Sequence, residues 1–327
     1  VSGVTASVHC FGKLPIAGDF IRYRLDAEEP RGFAGWVEKG QALVEAVTRS
    51  GGAKSAPAAA PRRYRFCLDQ GSGRRLVAGI LHESHDRGQL RRFPFCLFAA
   101  VEASAFRARP ALLPYLLSEG WSSCEEKLAA LGGVSRVEEL TRGLDGFAPA
   151  IPEPSKAAAA DLDAALGRER AGALWGRVLP GRPPDGRLHL FDILVRALQP
   201  FQKTRPEEAP VALKLPVGGT RQEVALQAAF WVELLCGFLS GSRQAPNLFL
   251  AAPAAAEPAK ALHVFFQRPD EKSFASLMTQ KYESEYVDDL TAAPPPPRGA
   301  AVLGERQRRM LLADDASLMD LARFRWL

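Results

Sequence analysis

The stretch Cys10-Phe11-Gly12-Lys13-Leu14-Pro15-Ile16-Ala17-Gly18-Asp19-Phe20-Ile21-Arg22 constrains the fold more than any other part of the chain. It sets an apolar strand end, two glycines, a proline and an acid in one sharp corner. Residues 6–14 alternate and run into Gly and Pro, as a strand does on entering a tight turn. Gly12 and Gly18 permit backbone angles that other residues avoid. Pro15 fixes one dihedral and removes a donor. Asp19 is expected to accept from nearby backbone N–H groups and lock the turn. The corner is not a phosphate loop, because the G-x-x-x-x-G-K-[ST] spacing is missing and no Ser or Thr follows Lys13.

Beyond the corner, Asp26 precedes a helix that Pro30 can begin. Its apolar residues Phe33, Trp36, Val37, Val44 and Val47 fall on one face. Gly51-Gly52 and the Ala/Pro stretch at 53–61 read as a connector. Strands are expected at 63–68, 76–82 and 93–101, with Gly71-Ser72-Gly73 turning the first into the second and the loop 83–92 joining the second to the third. Helices at 111–119, 123–131 and 135–144 follow. A boundary lies at 146–160, where Ile151-Pro152-Glu153-Pro154 and an alanine run occur. Then come helices at 160–175 and 187–199, a strand at 211–215, and a helix at 221–240 with Val224, Ala228, Trp231, Leu235 and Phe238 on one stripe. Strands at 247–251 and 262–266 and a helix from Phe274 complete this part.

The expected fold is α/β of the α+β kind, with two units, each a mainly antiparallel sheet with packed helices, plus a Pro-spaced C-terminal tail. Short turns between successive strands argue against parallel crossovers. The units span 1–150 and 151–291, and the tail spans 292–327. Lys13-Leu14-Pro15-Ile16 with Gly18, a helix bearing Trp36 and the strand at 64–68 is echoed by Lys214-Leu215-Pro216-Val217 with Gly218, a helix bearing Trp231 and the strand at 247–250. The echo reads either as an old duplication, making the second unit a diverged repeat, or as reuse of strand-to-helix punctuation. Four prolines make 292–300 an extended spacer. After it, Asp314 or Asp315 can cap a short helix carrying Leu318, Leu321 and Ala322. That segment docks on its own domain or serves as a partner-binding arm.

At 327 residues and 47% apolar content the chain can bury a sizeable core without staples. No apolar run reaches the roughly 18 residues a bilayer span needs, so no membrane insertion is expected, and no signal peptide is seen at the start of the chain. The cysteines at 10, 67, 96, 124 and 236 are widely spaced, odd in number and set among apolar residues. Reduced, buried thiols and a cytoplasmic location are the economical reading. The net charge is +5, and eight arginines face three acids between Arg62 and Arg92. This cluster reads as a solvated surface or as a contact for an acidic protein partner. Nucleic acid is not expected, because no reading module or aromatic-interleaved groove accompanies the arginines.

His82-Glu83-Ser84-His85-Asp86 is the most enzyme-like local cluster. Two imidazoles and two carboxylates have the chemistry of zinc ligands. H-E-x-x-H, however, needs one more intervening residue and a helical setting. Gly120-Trp121-Ser122-Ser123-Cys124 begins like a nucleophile elbow but ends in Cys, with no strand before it. No dinucleotide fingerprint occurs. No catalytic residue, cofactor or metal is therefore expected. The rival readings are a small metal-dependent hydrolase using His82, His85 and Asp86, and a structural subunit tethered through its tail.

The corner also resembles the opening motif of the TagF/ImpM family of type VI secretion accessory proteins, roughly F-x-G-K-L-P-x-x-G-D-F-x-R. Here it reads Phe11-Gly12-Lys13-Leu14-Pro15, then Gly18-Asp19-Phe20 and Arg22, with one spacer fewer. A second family run, G-x-L-x-x-S-x-D-R-x-G-R-x-F-P, is similar to Gly79-Ile80-Leu81 leading to Ser84-His85-Asp86-Arg87 and then Arg92-Phe93-Pro94-Phe95. Its middle departs, because Gly88-Gln89-Leu90-Arg91 is one residue longer and lacks the Gly-Arg pair in register. Trp36 and Arg65-Phe66-x-Leu68 fall where the family places similar residues. The resemblance covers roughly residues 9–101 and implies a non-enzymatic, cytoplasmic bacterial protein. It implies post-translational regulation, a repression of assembly through binding the forkhead-associated scaffold protein of the pathway. The Asp-rich motifs of the phosphatase domain fused to some members are absent. Arg87, Arg91, Arg92 and Asp86 are the expected partner-binding residues, on an arginine-rich face meeting an acidic or phosphorylated surface.

Overall fold

The computed structural model describes residues 7–50, 62–69, 74–201, 211–239, 246–252, 260–291 and 302–326. The expected connector at 53–61, the Gly71-Ser72-Gly73 turn and the spacer at 292–300 lie outside the described residues. The strands are β1 (Val8–Gly12), β2 (Ile21–Tyr23), β3 (Arg63–Asp69), β4 (Arg75–His82), β5 (Phe95–Glu102), β6 (Ala212–Pro216), β7 (Asn247–Ala252), β8 (Ala261–Phe265) and β9 (Asp288–Asp289). They pair in the order β2-β1-β5-β4-β3-β7-β8-β6-β9. Every pairing is antiparallel except that of β6 with the two-residue β9. The mainly antiparallel α+β reading thus holds, and the strands of the two expected units share one sheet, joined where β3 lies against β7.

Helices cover both faces of this sheet, which is why nearly every residue of β1, β3, β4 and β7 is buried. They are α1 (Glu28–Ser50), α2 (Leu112–Ala130), α3 (Val137–Leu144), α4 (Lys156–Arg168), α5 (Ala171–Val178), α6 (Asp185–Leu198), α7 (Arg221–Phe238), α8 (Glu271–Met278), α9 (Gln280–Tyr286), α10 (Glu305–Leu312) and α11 (Leu318–Arg323). On one face, Phe33, Trp36 and Val37 of α1 join Phe66, Phe98 and Phe249 in one core. Phe33 lies 4.9 Å from the Phe66 ring and 4.6 Å from Phe98. Trp36 reaches across the seam, donating its indole N–H to the Asp270 carbonyl at 2.8 Å and meeting Phe274 of α8 edge-on. On the other face, α2 and α7 carry Trp121 and Trp231 into a larger core with Trp175 and Phe191.

The helices expected at 111–119 and 123–131 are one, α2. Gly120 does not break it. A Cβ there would stand 2.9 Å from Ile151, so the glycine admits the chain that returns at 150–151. The helix expected over 160–175 is instead two, α4 and α5, with Glu169 and Arg170 extended between them. The break is tertiary in origin. The tail passes there, with Leu318 N donating to Glu169 O at 3.0 Å and Ala171 N to Ala316 O at 2.8 Å. The tail docks on its own chain: Leu311, Leu318, Leu321 and Trp326 are buried in the larger core. Its last helix is capped by Ser317 in a reciprocal box with Asp320, and not by Asp314, which pairs with Arg187 at 2.6 Å.

The internal echo does not extend to strand direction. Three antiparallel steps separate β1 from β3, so these run oppositely, whereas two separate β6 from β7, so these run in parallel. The two tryptophan helices also bear on different cores. Because Trp326 seals the tail against Phe191, with ring centroids 4.5 Å apart, Trp326→Ala is expected to lower unfolding stability. The loss should be about 3–5 kcal/mol, the range for emptying a buried aromatic site, as read by urea unfolding.

Candidate functional site

The corner closes against the loop 83–92 through three contacts of different kinds. The first is steric. Gly12 adopts φ +131°, and a Cβ there would sit 2.0 Å from the Pro94 carbonyl oxygen. Only glycine satisfies both conditions. Gly18 differs from expectation: its φ is not positive and its open side meets nothing. The second contact is aromatic. Phe93 stands edge-on to Phe20 at 4.7 Å and to Phe11 at 5.6 Å. Arg22 caps this cluster with its guanidinium 5.0 Å from the Phe20 ring, and pairs with Glu38 of α1 at 3.0 Å. Asp19 accepts from the Phe20 N–H at 2.7 Å, and Leu14 O accepts from Ala17 N at 3.1 Å, so the turn around Pro15 is locked locally.

The third contact is electrostatic. Lys13 is 1% exposed, and its ammonium lies 3.5 Å from the buried Asp86 carboxylate and 4.8 Å from the Phe20 ring. At this distance the ammonium makes no hydrogen bond of good geometry, so the pair is mainly electrostatic. Asp86 Oδ1 also accepts from the Leu90 N–H at 2.9 Å and the Arg91 N–H at 3.3 Å. Burial alone would raise the Asp86 carboxyl, but these N–H groups and the Lys13 charge outweigh it and hold the carboxyl below its ordinary value. Asp86 therefore does not belong to the exposed rim expected from the sequence. It is the anchor that shapes the loop from within.

That anchoring turns the loop tip outward. Arg87 N donates to Ala17 O at 2.9 Å, its guanidinium donates to Ile16 O, and Phe93 N donates to Ser84 O at 3.0 Å. Gln89 takes a positive φ of 55°, and the next residue, Leu90, is 89% exposed. Arg87, Arg91 and Arg92, close to it in sequence, are exposed too. Beside the tip a groove of about 530 Å3 runs to α1, with Val44, Arg49 and Met278 on its walls. The arginines of the 62–92 stretch do not form one face. Arg65 is buried and bidentate on Glu125 at 2.8 and 2.9 Å, and Arg74 and Arg75 lie at the far end of β4 from this loop. Trp36 and Pro94 act inside the fold, Trp36 in the core and Pro94 against Gly12. Leu90 was not among the expected residues. Its signal in the sequence is a lone leucine in a polar loop, within the one segment that departs from the family run.

The cluster at 82–86 does not converge as metal ligands would. His82 Nδ1 faces the Glu83 carbonyl at 3.1 Å, His85 Nδ1 faces the Asp86 carbonyl at 2.8 Å, and the Asp86 carboxylate is spent on Lys13 and backbone N–H groups. Among the described residues no three His, Cys, Asp or Glu side chains form a metal-binding group.

A family model described as TagF N-terminal domain, type VI secretion system-associated, matches residues 9–145. Over that stretch the chain is similar to TagF N-terminal domains. The match runs from β1 to the end of α3 and so contains the whole corner and its loop. No curated protein matches the chain. Among solved structures it is similar to a crystal structure of PA0076 from Pseudomonas aeruginosa PAO1, at 16% identity and a TM-score of 0.45, covering 90% of this chain and 100% of that one. No helix among the described residues is long and apolar enough to cross a membrane.

Two expectations follow for the matched region. The Lys13–Asp86 pair should show coupling: Lys13→Met and Asp86→Asn each lower the melting temperature, and the double variant loses less than the sum, since neither partner is left buried alone. His82 bears on acid stability. Burial pushes its imidazole down from 6.5 to about 4, with Arg63 adding to the effect and the Glu83 carbonyl opposing it. Between these values the unfolded chain binds a proton that the folded chain refuses, so stability falls as pH drops through that window. His82→Gln should flatten this part of a pH-dependent unfolding curve.

Proposed function

We propose that this protein is a non-enzymatic accessory factor of bacterial type VI secretion, acting in the cytoplasm and after translation. It restrains assembly by binding the forkhead-associated scaffold protein of the pathway. The observation that carries this reading is the tip of the loop 83–92. Leu90 projects from a clamped backbone, exposed arginines flank it in sequence, and the Asp86 carboxylate is turned inward, while Glu45 and Glu83 line the adjoining groove. Arg91 and Arg92 make no ion pair with a described residue. An apolar knob inside a positive rim suits an acidic or phosphorylated partner with a small apolar socket. The planar arginine fork pairs with carboxylate or phosphate through two bonds at once. Rim charges set the encounter rate, and the leucine supplies the desolvated anchor. The knob is pre-organised by the Lys13–Asp86 pair and by backbone bonds, so little entropy is lost when it is captured.

Co-purification and titration against the scaffold protein test the assignment. Leu90→Asp should weaken binding by at least about tenfold, the scale of losing one anchor residue. The Arg91→Ala/Arg92→Ala pair should weaken it and reduce its dependence on salt. Unchanged binding by both variants removes this face from the interaction.

A further inference from the structure

A second cavity, of about 390 Å3, opens beside the corner on the side away from Leu90. That volume is in the range of small-ligand sites. Its apolar wall comes from Leu14 and Ile16 of the corner, Ile80 of β4, Leu128 of α2 and Leu140 of α3. The buried ion pair of Arg65 with Glu125 lines it too, but that pair is closed on itself: both guanidinium bonds go to one carboxylate, which also meets Arg221 at 3.5 Å. Two other polar groups on the wall are not closed.

They are Arg63 and His82, which stand directly opposite one another on β3 and β4. Antiparallel partners project to the same face with their Cβ atoms about 5 Å apart. Arg63 is half-buried, and its guanidinium makes no ion pair with a described residue. His82 Nδ1 donates to the Glu83 carbonyl, which leaves the neutral ring with an acceptor at Nε2. That nitrogen is buried without a hydrogen-bond partner. A buried polar atom left unsatisfied is costly and calls for an account.

The wall therefore asks for three things within a few ångströms: an anion for Arg63, an N–H or O–H donor for His82 Nε2, and an apolar group for the cavity. The last residue of a polypeptide supplies all three, with its carboxylate next to its own backbone N–H and its side chain beside both. An ionised fatty acid supplies the anion and the tail but no donor. The segment around Trp326 is engaged elsewhere, packed on Phe191. We propose that this cavity binds the C-terminal residue of a partner polypeptide ending in an apolar side chain, with the carboxylate on Arg63, the N–H on His82 Nε2 and the side chain against Ile80 and Leu128. This site is separate from the Leu90 tip and does not rest on the function proposed for it.

The test is calorimetric titration of the full chain with the peptide acetyl-Gly-Ala-Leu as its free acid, as its C-terminal amide, and with octanoate. The free acid is expected to saturate one site, and the amide to bind at least about tenfold more weakly, as loss of a charged hydrogen-bond partner predicts. Arg63→Gln should bring the acid down to the level of the amide. Ala129→Phe, which enters the cavity from an exposed position on α2, should abolish binding of both while thermal unfolding stays unchanged. The Arg91→Ala/Arg92→Ala variant should bind the peptide like the wild type, which separates this site from the loop tip. Absence of saturable binding up to millimolar peptide, equal binding of acid and amide, or retained discrimination in Arg63→Gln would overturn the proposal. Octanoate binding as tightly as the peptide would overturn the polypeptide as its occupant.

Discussion

The pairing of β3 with β7 is the interaction on which the rest of the architecture depends. Five residues of β3, from Arg63 to Cys67, lie in antiparallel register against Ala252 to Leu248. A buried asparagine closes the end of the seam: Asn247 accepts from Asp69 N at 2.8 Å and donates to the carbonyls of Phe265 and Gln267. With the seam in place, the apolar face of α1 rests on strands from both halves, and Trp36 bonds to a loop of the second half. Neither half has a sheet edge to leave open at that point, which removes a site for unwanted strand pairing.

The corner is built onto the outer part of this sheet and exports its rigidity to the loop beside it. Gly12 lets Pro94 come close, the Phe11–Phe20–Phe93 cluster fills the space, and Lys13 fixes Asp86. A buried ion pair contributes little net stability, because desolvation opposes attraction. Its value here is positional. It holds one carboxylate where three backbone segments meet, so the loop has one shape and its arginines and leucine face outward. The same corner forms a wall of the cavity that Arg63 and His82 border. One local motif thus supports two distinct surfaces of the first half.

Much of the fold was legible from patterning. The helix carrying Phe33, Trp36 and Val37, the three strands of the first half, and the helix with Trp231 appear close to where periodicity puts them. Those segments are legible because local burial and local spacing agree. The misreadings have tertiary causes. Gly120 reads as a helix break until the chain at 150–151 is seen to need its missing Cβ. Residues 160–175 read as one helix until the tail takes the backbone bonds of Glu169 and Ala171. The candidate site was half legible: the glycine, proline and aromatic positions of the corner were, whereas the roles of Asp86 and Leu90 were not. An aspartate in a polar loop reads as exposed, and only a lysine seventy-odd residues away reverses that.

Residue chemistry and spacing alone determined the strand-to-corner punctuation, the amphipathic helices, the mainly antiparallel character and the resemblance that the family match bears out. These depend on neighbours within a few residues, where backbone sterics and periodicity act directly. The tertiary structure decided that one sheet runs through both halves, that the tail is part of the core, that Arg65 and Asp86 turn inward, that the Leu90 side chain is exposed and that the Arg63 guanidinium makes no ion pair with a described residue. Each of those outcomes is set by which distant group reaches a charge or a backbone bond first, and distance in space is not written in order along the chain.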